Sequence, residues 1–277
     1  MVTQEQRRRQ LAREKFLRQQ QRRTSARRKA RMRNAAIASV LGVILIGSVA
    51  LYTTGVVLGD DDDKTNAGAE VTPSASAPSK APDPCDKPAA GKVGTQTWKK
   101  EPALTVDESA KYTMKLATTC GDIDIALKAK AAPHTVNSFD FLAGKGYFDH
   151  TKCHRLTTEG IYVLQCGDPT AQGNGGPGYN IPDENLKDKS LKDNVYPAGT
   201  VAMANTGQPD SGGSQFFLVY QDSQLPPSYT PFGTVSKEGM AVLKKIAAAG
   251  AQPADPTTGN TAPNATVVID KATVSKS

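Results

Sequence analysis

Tryptophan occurs once in the 277 residues, histidine three times, and aromatic residues make up only 6% of the chain. So few histidines leave little material for a metal centre or a histidine-driven active site. His134 falls in the first turn of an amphipathic stretch, His150 in a loop, and His154 beside Arg155; Asp210 and Ser211 are neighbours with no positioned histidine, so hydrolase chemistry is not written here. The four cysteines, Cys85, Cys120, Cys153 and Cys166, include no C-x-x-C pair, which disfavours zinc and thioredoxin-like sites. In an oxidising compartment an even number permits disulfides. Cys153 and Cys166 are the natural pair if they flank one hairpin, yet strand alternation puts Cys153 on the face of Arg155 and Cys166 opposite Gln165. The connectivity stays open. The glycine-rich AQGNGGPGYN (171–180) precedes no helix in a phosphate-cradling pattern and is read as a tight chain reversal rather than a nucleotide site.

Charge is spread unevenly. Residues 1–34 hold thirteen Lys/Arg against Glu5 and Glu14, a net of +11, so the other 243 residues sum to −4 within a chain of +7. The high pI belongs to a tail, and the mildly acidic remainder argues against a nucleic-acid-binding face. From Ala35 to Gly59 there are 25 residues without a charge. As a helix this is roughly 37 Å, enough to cross a hydrocarbon core of ~30 Å with tilt. Basic residues before the run and Asp60–Asp63 after it place the N-terminus in the cytoplasm and the remainder outside. A cleaved signal peptide is the competing reading, weakened by the length of the run and the missing small-x-small site. Residues 60–107, rich in Ala, Pro, Ser, Asp and Lys, are expected to be a flexible, disordered linker, with Cys85 and Trp98 in a second half that can dock on the domain.

The texture changes near residue 108. KYTMKLATTCGDIDIALKA alternates apolar and polar residues around a Cys-Gly turn, a hairpin pattern. APHTVNSFDFLAGKG predicts a helix opened by Pro133 and closed at Gly144 or Gly146, and KEGMAVLKKIAAAG predicts a second. Short apolar runs lie between and after them: CHRL, GIYVLQCGD, GTVAMAN, SQFFLVY, PFGTVS and ATVVIDKATV. Many short strands with two helices predict a mainly β domain over 108–277, a barrel or sandwich with helical plugs.

Within it stand polar hydrogen-bonding residues among apolar ones: Arg155, Gln165, Asn205 and Gln215 with Val163, Phe217, Leu225 and Tyr229. The ordered motifs CHRL…GIYVLQCGD, GTVAMANTGQPDSGGSQFFLVY and YTPFGTVSKEGM resemble the cyclophilin-type peptidyl-prolyl cis-trans isomerases over roughly residues 111–275. The tail–span–linker layout resembles membrane-anchored members from actinobacteria. The resemblance implies a closed eight-stranded antiparallel barrel capped by two helices, with the site on its outer face. It also implies a catalytic set of Arg155, Gln165 and Asn205, and a substrate-binding set of Val163, Gly173, Ala204, Thr206, Gln215, Phe217, Leu225 and Tyr229. Between Arg155 and Gln165 the chain is two residues longer than the family pattern. Face parity then favours Ile161 at the pocket phenylalanine position, and counting back from Gln165 favours Tyr162.

The implied activity is rotation about X–Pro bonds in exported proteins, with no cofactor and no metal. The implied partners are proline-containing polypeptides and the membrane, with no nucleic acid and a monomeric state. A tethered module that binds proline-containing segments without turning them over is the alternative. Gln224 stands where cyclosporin-sensitive members have tryptophan, so weak cyclosporin binding is expected.

Overall fold

The computed structural model describes residues 82–277. The basic tail, the apolar span and the first part of the expected linker lie outside the described residues. Among those described, no helix is long and apolar enough to cross a membrane.

Strong alternation makes the first hairpin. β1 (Tyr112–Thr118) buries Tyr112, Met114 and Leu116, and β2 (Gly121–Leu127) buries Ile123, Ile125 and Leu127. The turn between them reaches Gly121 at φ 127°, a region that suits glycine. α1 (Pro133–Gly144) follows, with proline in its first turn, where no amide hydrogen is needed. The Glu184 carboxylate supplies the cap that α1 itself does not, accepting from the His134 and Thr135 amides at 3.0 and 2.9 Å. The helix closes at Gly144 and sends Val136, Phe139 and Leu142 into the core.

Then come β3 (Thr151–Lys152), β4 (Arg155–Leu156), β5 (Val163–Cys166), β6 (Val195–Tyr196), β7 (Thr200–Met203), β8 (Phe216–Val219), β9 (Ser223–Gln224) and β10 (Pro231–Val235). α2 (Lys237–Ala248) is capped by the Ser236 hydroxyl, which accepts from the Gly239 amide, and buries Leu243 and Ile246; β11 (Val268–Lys276) ends the chain.

Nine segments form one antiparallel sheet in the order β3-β11-β1-β2-β10-β7-β8-β5-β4, and β6 pairs with β9 as a separate ribbon. The eight strands expected become nine because residues 151–156 change partner part-way. β3 pairs with β11, β4 pairs with β5, and between them the Cys153 amide donates to Val267 O while the His154 amide donates to Gln165 O.

That break also answers the cysteine question. Strand parity assumes an unbroken strand, and here the break turns Cys153 inward beside Cys166, so the two form a disulfide. The second disulfide, Cys85–Cys120, ties residues 82–107 to the β1–β2 turn. By composition that segment reads as the half of the linker that can dock on the domain, with Cys85 and Trp98 in it. In the structure it lies on the domain as a strap, with the Asp86 amide donating to Thr119 O and the Asn137 side chain accepting from the Thr105 amide.

Candidate functional site

Register places the site. Arg155 pairs with Gln165 across β4–β5, Gln165 with Phe217 across β5–β8, and Phe217 with Ala202 across β8–β7. One residue along, Leu156, Leu164, Leu218 and Val201 form the parallel row. Adjacent rows face opposite sides of a sheet. The leucine row lies in the main core with Phe139, Phe148 and Phe216, while Phe217 and Ala202 join a second, smaller apolar cluster with Val163, Tyr196, Val219 and Leu225. The strands that fill the core therefore also carry a separate apolar patch on their other face, with Arg155 and Gln165 at its edge.

This patch is concave. A cleft of about 120 Å³ is lined by Arg155, Ile161, Val163, Gln165, Ala204, Asn205, Phe217, Leu225 and Tyr229. Phe217 meets Tyr229 edge-on at 5.4 Å, and below them the buried Tyr196 donates its hydroxyl to Tyr229 O at 2.9 Å. Ile161, Val163, Ala204, Phe217 and Leu225 give it apolar walls, and Arg155, Gln165, Asn205 and Tyr229 give it polar groups that can fix the orientation of a small ring.

The polar side is one connected chain. Arg155 Nη1 donates to Gln165 Oε1 at 3.2 Å, Gln165 Nε2 to Gln215 Oε1 at 2.9 Å, and Gln215 Nε2 to Gly175 O at 2.9 Å. Each amide uses both ends, so both glutamines have a fixed orientation. A guanidinium has five N–H donors, and no carboxylate pairs with Arg155 among the described residues. Burial lowers the Arg155 pKa from its ordinary value, opposed by the Tyr229 hydroxyl; a guanidinium starts so high that it stays charged at neutral pH.

Gln165, Ala204 and Asn205 form a shared wall, beyond which lies a larger cavity of about 370 Å³. Gly173, Thr206 and Gln215 line that second cavity rather than the cleft. Its far side is the 173–180 loop, folded around Asp168. The Asp168 carboxylate accepts from the Gly173 and Gly175 amides at 2.6 and 3.1 Å and from Thr170. Burial raises the Asp168 pKa, but the hydrogen bonds from Gly175, Thr170 and Gly173 outweigh it and the net shift is downward.

Of the two residues left open by the longer β4–β5 connection, Ile161 lines the cleft. Tyr162 does not; its ring lies edge-on to Tyr220 at 5.9 Å and its amide donates to Ser223 Oγ. Asn205 lines both cavities, yet its own amide is held internally, with Nδ2 donating to Ser228 O and Oδ1 accepting from the Gly207 amide. Tyr196 was missed from sequence, although it forms the floor under Phe217 and Tyr229. Its only signal was a lone aromatic in VYPAG, in a strand of two residues. His134, read as structural, pairs with Glu101 of the strap at 2.7 Å.

The chain matches the model of the family described as cyclophilin type peptidyl-prolyl cis-trans isomerase/CLD over residues 113–274, more than half its length, and it belongs to that family. Among curated proteins, "Probable peptidyl-prolyl cis-trans isomerase B" of Mycobacterium leprae is 46% identical over 179 residues, covering 62% of this chain and 56% of that one. The protein of the same name from Mycobacterium tuberculosis H37Rv is 43% identical over 181 residues, covering 62% and 54%. This chain thus spans about half the length of those two relatives. A peptidyl-prolyl cis-trans isomerase of Helicobacter pylori is 38% identical over 133 residues, 47% of this chain and 77% of that one. A crystal structure of a Cryptosporidium parvum cyclophilin-type isomerase is similar at 26% identity and a TM-score of 0.47, covering 60% of this chain and 98% of that one.

Proposed function

We propose that this chain is a peptidyl-prolyl cis-trans isomerase that holds the proline ring in the cleft of Val163, Phe217, Leu225 and Ile161 and uses Arg155 to stabilise the twisted amide. The observation that carries the reading is a guanidinium at the edge of an apolar cleft, oriented by Gln165 and with no carboxylate partner among the described residues.

The chemistry needs little else. The barrier to rotation is ~18–20 kcal/mol and comes from amide resonance. As the C–N bond twists, the proline nitrogen becomes pyramidal and regains a lone pair. A donor aimed at that nitrogen then favours the twisted state over the planar one, and only such differential binding accelerates rotation. One charge-assisted hydrogen bond contributes about 1.5–3 kcal/mol, or about one to two decades of rate. An acceleration of ~10⁵ would need about 7 kcal/mol. The rest is assigned to the cleft, which fixes the ring, and to Gln165 and the Ala204–Asn205 backbone, which align the flanking peptide.

We also read the sheet as a closed barrel, because its two end segments, β3 and β4, are consecutive in the chain. We place the domain outside the cytoplasm, on a membrane tether, acting on exported proteins. This is supported by the uncharged run 35–59 between basic and acidic flanks, and by two disulfides, which persist in oxidising compartments. Proteolysis of intact cells, with the domain cleaved only from outside, is the expected result; a protected domain would refute it. Cyclosporin binding is expected to be weak, since Gln224 is exposed on β9 and offers no indole. A submicromolar Kd by calorimetry would show that Gln224 does not decide affinity.

The decisive assay is isomerisation of an Ala-Pro-Phe-containing peptide by the full chain and by Arg155→Ala. Turnover that collapses in the variant supports the enzyme. Peptide binding without turnover in either protein would favour a proline-binding module instead.

A further inference from the structure

The strap, residues 82–107, is fixed at both ends. Cys85 is bonded to Cys120, and the Asp83 carboxylate accepts from the Thr266 amide at 2.9 Å. At the other end Asn137 Oδ1 accepts from the Thr105 and Val106 amides at 2.8 and 3.2 Å. Between these anchors the chain's sole tryptophan, Trp98, lies edge-on to Phe141 at 5.1 Å and tilted on Tyr147 at 6.0 Å.

The backbone at Trp98 does something different. Its amide donates to Pro177 O at 2.7 Å, in the loop lining the larger cavity. Contact there is backbone to backbone: a Cβ on Gly178 would come within 2.6 Å of Trp98 O. The loop is thus gripped from two sides, by Asp168 beneath and by Trp98 outside. Within it, Gly175 O accepts from Gln215, Gln215 from Gln165, and Gln165 from Arg155. An unbroken path of short contacts therefore links the strap to the guanidinium.

We infer that Trp98 is a positioning residue for the isomerase reaction: by seating the 173–178 loop it keeps Gly175 O on Gln215, and through the two glutamines it holds Arg155 at the cleft. This rests on the activity proposed above. The strap is then part of the enzyme and not a spacer.

Physical coupling of this kind appears as non-additivity between residues that share a network. The test is a cycle in the full chain, combining Trp98→Ala with Gln215→Ala and measuring kcat and KM on a proline tetrapeptide. Trp98→Ala is expected to lower kcat about three- to tenfold with KM little changed, because an arginine aligned for the twisted state acts there. In the Gln215→Ala background the same change should alter kcat less than about twofold, since the path is already cut. Trp98→Phe should restore most of the loss. Should Trp98→Ala be unstable, Trp98→Leu, which keeps apolar bulk, takes its place in the cycle.

Equal losses in both backgrounds, or no loss in a folded Trp98→Ala protein, would overturn the proposal and leave Asp168 as sufficient support for the loop. The side-chain amide NMR signals of Gln165 and Gln215 give a readout independent of turnover. If the wild-type chain proves inactive, the activity proposal fails. Shifts of both signals in Trp98→Ala would then still establish the link to the glutamines, and unchanged signals would refute it.

Discussion

The two cavities that share the wall of Gln165, Ala204 and Asn205 are built in opposite ways. The small cleft rests on strands: Val163, Gln165 and Phe217 sit on the outward rows of β5 and β8, whose inward rows are locked in the main core, and Ile161, Ala204, Asn205, Leu225 and Tyr229 close it from the adjoining turns. The larger one is made by loops, in which Gly173 and Gly178 have positive φ and backbone groups rather than side chains do the holding. Close packing makes the first a rigid slot for one shape. The second is supported by a few hydrogen bonds, and loops of that kind tolerate variation. Under the proposed function, the contrast makes recognition of the proline ring and recognition of its flanking residues separable.

Substitutions can break that separation or sharpen it. The largest effect is expected from Phe217→Ala, which empties the strand-built slot. Loss of a buried aromatic costs about 3–5 kcal/mol, so chemical denaturation should show a large fall in stability together with weaker binding of every proline peptide. Next comes Arg155→Ala, expected to lower kcat/KM by about ten- to a hundredfold while leaving the denaturation midpoint close to wild type. A large stability loss there would mean that Arg155 is structural.

Asp168→Asn strikes the loop-built cavity directly and reaches Arg155 only through Gly175 and the two glutamines. Its carboxylate accepts from donors on two sides, and an amide would present N–H groups to one of them. A destabilisation of about 1–3 kcal/mol is expected. KM should rise for tetrapeptides, and kcat should fall as the Gly175–Gln215–Gln165 path loosens, while binding of a minimal X–Pro ligand is unchanged; equal effects on the binding of both ligands would show that the cavities are not separable.

The smallest effect concerns pH. His154 is buried, with no hydrogen-bond partner for either ring nitrogen among the described residues, and burial, opposed by Asp168 and aided by Arg155, lowers its pKa. The unfolded chain then binds the proton more readily than the native one, so stability should fall as pH drops below the ordinary histidine value of about 6.5. Urea midpoints measured between pH 7.5 and 5.5 should show this slope in the wild type and less of it in His154→Gln. An unchanged slope would assign the effect to other groups.

How much was legible in the sequence differs by element. The β1–β2 hairpin and both helices were legible because period and punctuation are local, as in the alternation around Cys120–Gly121 and Pro133 at the first helix start. The cleft residues were legible only through their resemblance to a family, since an arginine and a glutamine on a strand edge have bland readings when taken singly. Parity arguments met two outcomes. For Ile161 against Tyr162 alternation picked the residue that lines the cleft, although both lie just before β5 begins at Val163. For Cys153 it misled, because the strand breaks where the chain changes neighbours. The strap was least legible. Composition gave it no period, and its contacts are made largely by backbone amides and by two isolated residues, Cys85 and Trp98.

By itself, then, the sequence determined the first hairpin, the two helices and the inventory of polar groups available to a site. Those follow from periodicity and residue chemistry, which act over a few residues. Tertiary structure alone decided which rows align across four strands, which cysteines meet, and that Trp98 reaches the loop behind Gln215. Each of these depends on register and on contacts between residues distant in the chain, and no local pattern encodes such distances.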